Sequence, residues 1–100
     1  MYGSFMRLKV KPGQEQTVVD VLKEWEAKLK PTIKGAIGGL LLKPNSGSGE
    51  LLGAAIFRDK ASYMANADNS AQHEWYLKLR DLLEADPEWI DGEYLSVDLG

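Results

Sequence analysis

Residues Ala36 to Arg58 read AIGGLLLKPNSGSGELLGAAIFR, and the fold turns on how that stretch is understood. Two apolar runs, Ala36 to Lys43 and Leu51 to Arg58, flank a loop rich in Pro, Asn, Ser and Gly. Each run is too short for an ordinary amphipathic helix. The residues between them are those that turn a chain, so the pair reads as a β-hairpin. The Asn45 to Gly49 segment is its flexible tip. It is not a phosphate cradle, because no Gly-Lys-Ser/Thr sequence is present and no helix follows it.

Outward from the hairpin, each side carries a helical pattern. On the N-terminal side, Gln14 to Lys30 places Val18, Val21, Leu22, Trp25 and Leu29 on one stripe, with Lys23, Glu24 and Lys28 opposite. Glu24 and Lys28 have the spacing of a favourable i,i+4 ion pair. Pro31 ends or kinks this helix, and Gly35 offers a later stop. On the C-terminal side, Asp59 can cap a helical segment running through Tyr63 and Asn66. Asp68-Asn69-Ser70 then reads as an interruption or a second cap. Beyond it Gln72, Trp75, Tyr76, Leu79, Leu82 and Leu83 form one stripe, which must pack on a sheet.

One further step outward, each end of the chain supplies a strand. In residues 4–10, Met6, Leu8 and Val10 alternate with Phe5, Arg7 and Lys9. Asp86-Pro87 closes the second helical region, and Glu93 to Leu99 alternates Leu95, Val97 and Leu99 against Tyr94, Ser96 and Asp98, the pattern expected of the last strand. The order is β-α-β-β-α-β. It predicts an α+β, ferredoxin-like domain: a four-stranded antiparallel sheet with two helices on one face. The other face, carrying Phe5, Leu40 or Ile37, and Phe57, would be left bare. A second copy laid on it would cover the apolar patch, so a homodimer forming a dimeric α+β barrel around a cavity is expected.

A chain of 100 residues fits one domain, 1–100. The net charge of −3 supplies no positive field, so neither nucleic acid nor an anionic membrane surface is expected as a partner. The sequence contains no cysteine, which removes disulfides, thiolate metal sites and cysteine nucleophiles. The N-terminal residues lack the apolar core of a signal peptide, and a cytoplasmic location is the expectation.

Four segments together resemble the antibiotic biosynthesis monooxygenase-like dimeric α+β barrel superfamily. They are Arg7-Leu8-Lys9-Val10-Lys11-Pro12-Gly13, Phe57-Arg58-Asp59-Lys60-Ala61-Ser62-Tyr63, the run from Trp75-Tyr76 to Leu83, and Asp86-Pro87-Glu88-Trp89. The resemblance spans nearly the whole chain and implies a dimeric barrel. It also implies one of three activities: cofactor-independent oxygenation of quinone-type aromatics, haem degradation, or none. The haem-degrading branch needs an Asn, a Trp and a haem-ligating His at positions that fall here on Met6, Asn66 and Tyr76. All three depart, and without an axial His nothing fixes the iron. No cofactor and no metal are therefore expected.

The candidate ligand-binding residues are Arg7, Tyr63, Asn66 and Tyr76. Alternation puts Arg7 on the face that would line the barrel, where a buried guanidinium needs an anionic partner. That partner is either Asp98 or Glu93 of the last strand, or an acidic or phenolate ligand. Tyr63 and Asn66, three residues apart on a helix, can offer a hydroxyl and an amide to one ligand, though capping and surface roles explain them equally. His73 is the only histidine and lies off the apolar stripe, as a solvent-facing or rim residue would. Trp25 and Trp75 read as core residues; Trp89 is less constrained. Two functions remain open. One is a cofactor-independent monooxygenase on a small aromatic or quinone-like molecule, with Arg7 or Asn66 stabilising the substrate anion. The other is a non-catalytic dimeric barrel that binds a ligand or serves under stress.

Overall fold

The structure is a computed structural model that describes residues 1–100. It contains strand β1 (Tyr2–Lys9), helix α1 (Glu15–Glu24), strands β2 (Ala36–Leu42) and β3 (Glu50–Phe57), helices α2 (Lys60–Ala67) and α3 (Ser70–Arg80), and strand β4 (Glu88–Glu93). The strands form one antiparallel sheet in the order β2-β3-β1-β4. This is the expected α+β, ferredoxin-like arrangement, with three helices where two were expected.

The extra helix comes from a break at Asp68-Asn69. The Asp59 carboxylate accepts from Ser62 N at 2.8 Å and starts α2, while Asn69 Oδ1 accepts from the amides of Ala71 and Gln72 and starts α3. Helix α1 continues past Glu24 through one wider turn, Trp25–Leu29, in which Lys30 N reaches back five residues to Trp25 O. A tighter turn, Lys30–Thr32, holds Pro31 and ends the helical path. The widened turn offsets Lys28, and the expected Glu24–Lys28 pair is absent. Glu24 instead accepts from Lys78 Nζ at 3.1 Å, tying α1 to α3.

Alternation in β1 sends Ser4, Met6, Leu8 and Val10 toward the helices and leaves Phe5, Arg7 and Lys9 on the outer face. The core is the stack of Leu8, Val10, Val18, Leu51, Trp75, Leu79 and Leu83, with Val21, Leu22, Trp25 and Leu29 packed against it. Burying each such Leu or Val side chain contributes on the order of 2 kcal/mol. Both helical stripes thus meet on one face of the sheet.

The last strand is not where the alternation of Glu93 to Leu99 placed it. After α3 the chain is fastened beside the end of β1: Lys11 N donates to Leu82 O at 2.9 Å, and Glu84 N donates to Lys9 O at 2.8 Å. From that anchor it can only run back along the free edge of β1, pairing Arg7 with Glu88 and Tyr2 with Glu93. By Glu93 the edge is used up, and residues 94–100 have no strand left to pair with. Tyr94 closes the sheet instead. Its amide donates to Met1 O, its hydroxyl donates to Ala55 O at 2.7 Å, and its ring lies over Gly3, where a Cβ would run into the Ala55 carbonyl.

The outer face carries Phe5 (54% exposed), Leu40 (62%) and Ile90 (70%), with Leu42 beside them. Phe57 does not belong to it. Its register partner is Tyr2, two positions from inward-facing Ser4, and it is buried against the Tyr63 ring. Ile37 sits at a bulge between Ala36 and Gly38 and is half-buried, so Leu40 is the hairpin residue that lies open. No helix is long and apolar enough to cross a membrane.

A candidate ligand-binding cavity

Between the helices and the sheet lies a cavity of about 450 Å³. Its origin is legible in the hairpin residues. Facing the helices beside Ser4 are Ala55 and Gly39, and beside Met6 is Gly53, three residues too small to fill the layer; Leu41, across from Gly53, closes that rung and lines the cavity. Farther along, Leu51 resumes ordinary packing. The volume is within the roughly 300–1,000 Å³ typical of small-molecule sites.

Aromatic rings wall the space. Trp25 and Trp75 lie 6.2 Å apart, and Tyr76 and Trp89 lie 6.4 Å apart, centroid to centroid. Phe57 and Tyr63 meet edge to face at 5.4 Å. The wide turn at Trp25 aims its indole at α3, where Nε1 donates to Gln72 Oε1 at 2.8 Å; Trp75 Nε1 donates to Val21 O at 2.9 Å. Trp25 and Trp75 are therefore both core and cavity wall. Trp89, carried inward by β4, is a wall residue as well.

Polar groups collect where α2, β1 and β4 meet. The Tyr63 hydroxyl donates to Asp91 Oδ1 at 3.0 Å. Burial raises the Tyr63 pKa above its ordinary value; the nearby Ser4 hydroxyl is the next influence and opposes the rise, and the Asp91 carboxylate adds to it. Tyr63 is thus a protonated donor at neutral pH. Ser4 (2% exposed) and Asn66 (9% exposed) both line the cavity, and Ser4 Oγ and Asn66 Oδ1 have no hydrogen-bond partner within the protein. Native structures leave few such atoms unpaired, since each costs about 1–3 kcal/mol, so a pair in one cavity marks a place where a ligand's polar atoms can be received. Burial also raises the Tyr76 pKa, with help from Asp86.

Of the four residues singled out from the sequence, the structure brings Tyr63, Asn66 and Tyr76 to this cavity. Arg7 is elsewhere. It lies on the outer face, more than half exposed, 3.6 Å from Glu50 and 3.7 Å from Glu88. Its neighbours across the sheet are Leu52 and Glu88, so Asp98 and Glu93 are not its partners. His73 is exposed at the cavity's edge. Nowhere do three or more His, Asp or Glu side chains gather as metal ligands would.

Sequence reasoning missed Ser4, Gln72 and Asp91. Ser4 had a signal, being the one polar residue on the inward side of β1. Asp91 had none while residues 88–93 were read as the approach to a later strand.

This fold, an antiparallel sheet with helices on one face, is shared with solved structures that include candidate antibiotic biosynthesis monooxygenases. A protein of unknown function from Nitrosomonas europaea superposes with a TM-score of 0.77 at 25% identity, over 99% of this chain and 93% of that one. A candidate antibiotic biosynthesis monooxygenase from Caulobacter crescentus gives a TM-score of 0.81 at 14% identity, covering 95% and 90%. Another from Bordetella bronchiseptica gives 0.80 at 12% identity, covering 95% and 97%. No family model matches the sequence, and no curated protein matches it.

Proposed function

We propose that this chain binds a small, planar aromatic molecule in the cavity between sheet and helices, and that it does so as a homodimer formed through the outer sheet face. The observation that carries the reading is a half-open, mostly apolar space into which two unpaired, buried polar atoms, Ser4 Oγ and Asn66 Oδ1, are set among aromatic rings. The bare row of Phe5, Leu40, Leu42 and Ile90 on the opposite face supports the pairing of two copies.

Filling the cavity tests it. Ala55 faces the cavity opposite Ser4, and Ala55→Leu would occupy part of the space. Quenching of tryptophan fluorescence by naphthol and quinone probes should fall at least roughly tenfold in apparent affinity, a loss of about 1.4 kcal/mol. A folded variant that binds these probes as the wild type does would sink the cavity as the site.

A second reading, cofactor-independent oxygenation of the bound aromatic, is favoured by the shared architecture with candidate monooxygenases. In it Asn66 and Tyr63 orient the substrate, the rings exclude water, and the electron-rich substrate itself reduces dioxygen. Arg7 has no part in it, because its guanidinium is on the other side of the sheet. Oxygen uptake with hydroquinones, absent in Asn66→Leu, would favour turnover over binding alone.

A further inference from the structure

We propose that the cavity selects a guest bearing an amine or ammonium group on its aromatic ring system and rejects the matching anionic aromatic; this rests on the cavity being the binding site.

Charge comes first. No lysine or arginine lines the cavity, whereas two acidic residues do, Glu26 and Asp91, both exposed and so placed at its open side. Lys60 Nζ lies over the ring of Tyr2, 6.0 Å from its centroid, and three other cations are held in ion pairs. Lys78 is held by Glu24, Arg80 by Asp86, and Arg7 by Glu50 and Glu88 on the far face. The one lining side chain able to take up a positive charge is His73, at the exposed edge. An anion moved into this space would give up part of its hydration and find no counter-charge from a lining lysine or arginine.

The hydrogen-bonding inventory points the same way. The Tyr63 proton already goes to Asp91, and the indole N–H groups of Trp25 and Trp75 already go to Gln72 and the Val21 carbonyl. The strongest donors in the wall are therefore occupied. Left over are Asn66 Oδ1 and the remaining oxygen of Asp91, which only accept, and the Ser4 hydroxyl, which can accept or donate; Ser4 and Asn66 are at least nine-tenths buried. Both amides keep N–H groups, but neither bears a full charge. With their N–H groups occupied, Trp25 and Trp75 present the negative faces of their π systems, which attract a cation. A nitrogen donor placed between those acceptors and the rings satisfies the two buried oxygens the protein leaves open.

The test is a matched series on one ring: naphthylmethylammonium, naphthylmethanol and naphthoate, titrated against the wild-type protein by calorimetry at about pH 8 in low salt. The expected order is ammonium tightest, alcohol next, carboxylate weakest, with at least a roughly tenfold gap between the first and last. The Asp91→Asn, Glu26→Gln double variant keeps an acceptor for Tyr63 and should narrow that gap severalfold. Naphthoate binding as tightly as the ammonium, or a gap unchanged in the double variant, overturns the inference. Binding of all three with equal affinity overturns the selectivity but leaves the cavity standing as the site; binding of none removes the cavity reading and this inference with it.

Discussion

Asp59 shows how much one side chain settles. It takes an extended backbone conformation and accepts the Ser62 amide, and that hydrogen bond, followed by the Ser62 side chain and then Arg58, holds its carboxyl below the ordinary carboxylate value. Because the folded-state pKa is the lower one, the stability linked to ionised Asp59 is present above the unfolded-state range and is lost as pH falls through the folded value. Asp59→Asn keeps a capping oxygen and removes the titration. Thermal melts should therefore show the wild type ahead of the variant near neutrality, with the difference shrinking below about pH 4. A constant difference across that window would mean the cap's charge does not matter. Cap, charge and helix start were all readable from the Asp59-Lys60-Ala61-Ser62 sequence, since the contact is local.

Among the elements, the joint between α1 and α3 depends on contacts that no local pattern announces. Both stripes identify the faces that pack, but the partners across the joint are Trp25 with Gln72, Trp75 with the Val21 carbonyl, and Glu24 with Lys78. The wide turn at Trp25–Leu29 makes the first of these geometrically available. Gln72→Leu would leave the half-buried Trp25 N–H without an acceptor. A loss of about 1–2 kcal/mol in urea unfolding is expected, together with an upfield shift of the Trp25 indole proton. An unmoved indole resonance would show that the hydrogen bond is not made in solution. The final strand belongs to the same scale: two segments could have served, and the fastening of residues 82–84 to β1 chose 88–93.

For the whole molecule, the decisive asymmetry is between the two faces of the sheet. One face is closed by three helices around a cavity; the other presents Phe5, Leu40, Leu42 and Ile90 to solvent. Ile90, opposite Phe5 on β4, is the most exposed of that row. Ile90→Asp would set a charge on the edge strand of the face proposed to pair two copies. Light scattering should show a dimer for the wild type and a monomer for the variant, with far-UV circular dichroism unchanged. A monomeric wild type at tens of micromolar, on the order of usual assay concentrations, would refute the proposed assembly.

The sequence by itself determined the element order, the hairpin, the capped helices, the apolar stripes and the inward side of β1. All of these depend on neighbours within a few positions, where periodicity and turn chemistry act. It also brought Tyr63, Asn66 and Tyr76 to notice, but it set Arg7 among them, because alternation says which residues share a face and not what that face meets. Tertiary structure decided that Arg7 lies between Glu50 and Glu88, that Phe57 turns inward, and that Ser4 and Asp91 join Asn66 and Tyr63 at one end of a cavity. The reason is register: a shift of one residue between strands carries every side chain to the opposite face, and the pairing partners that set it lie some forty to ninety residues apart in the chain.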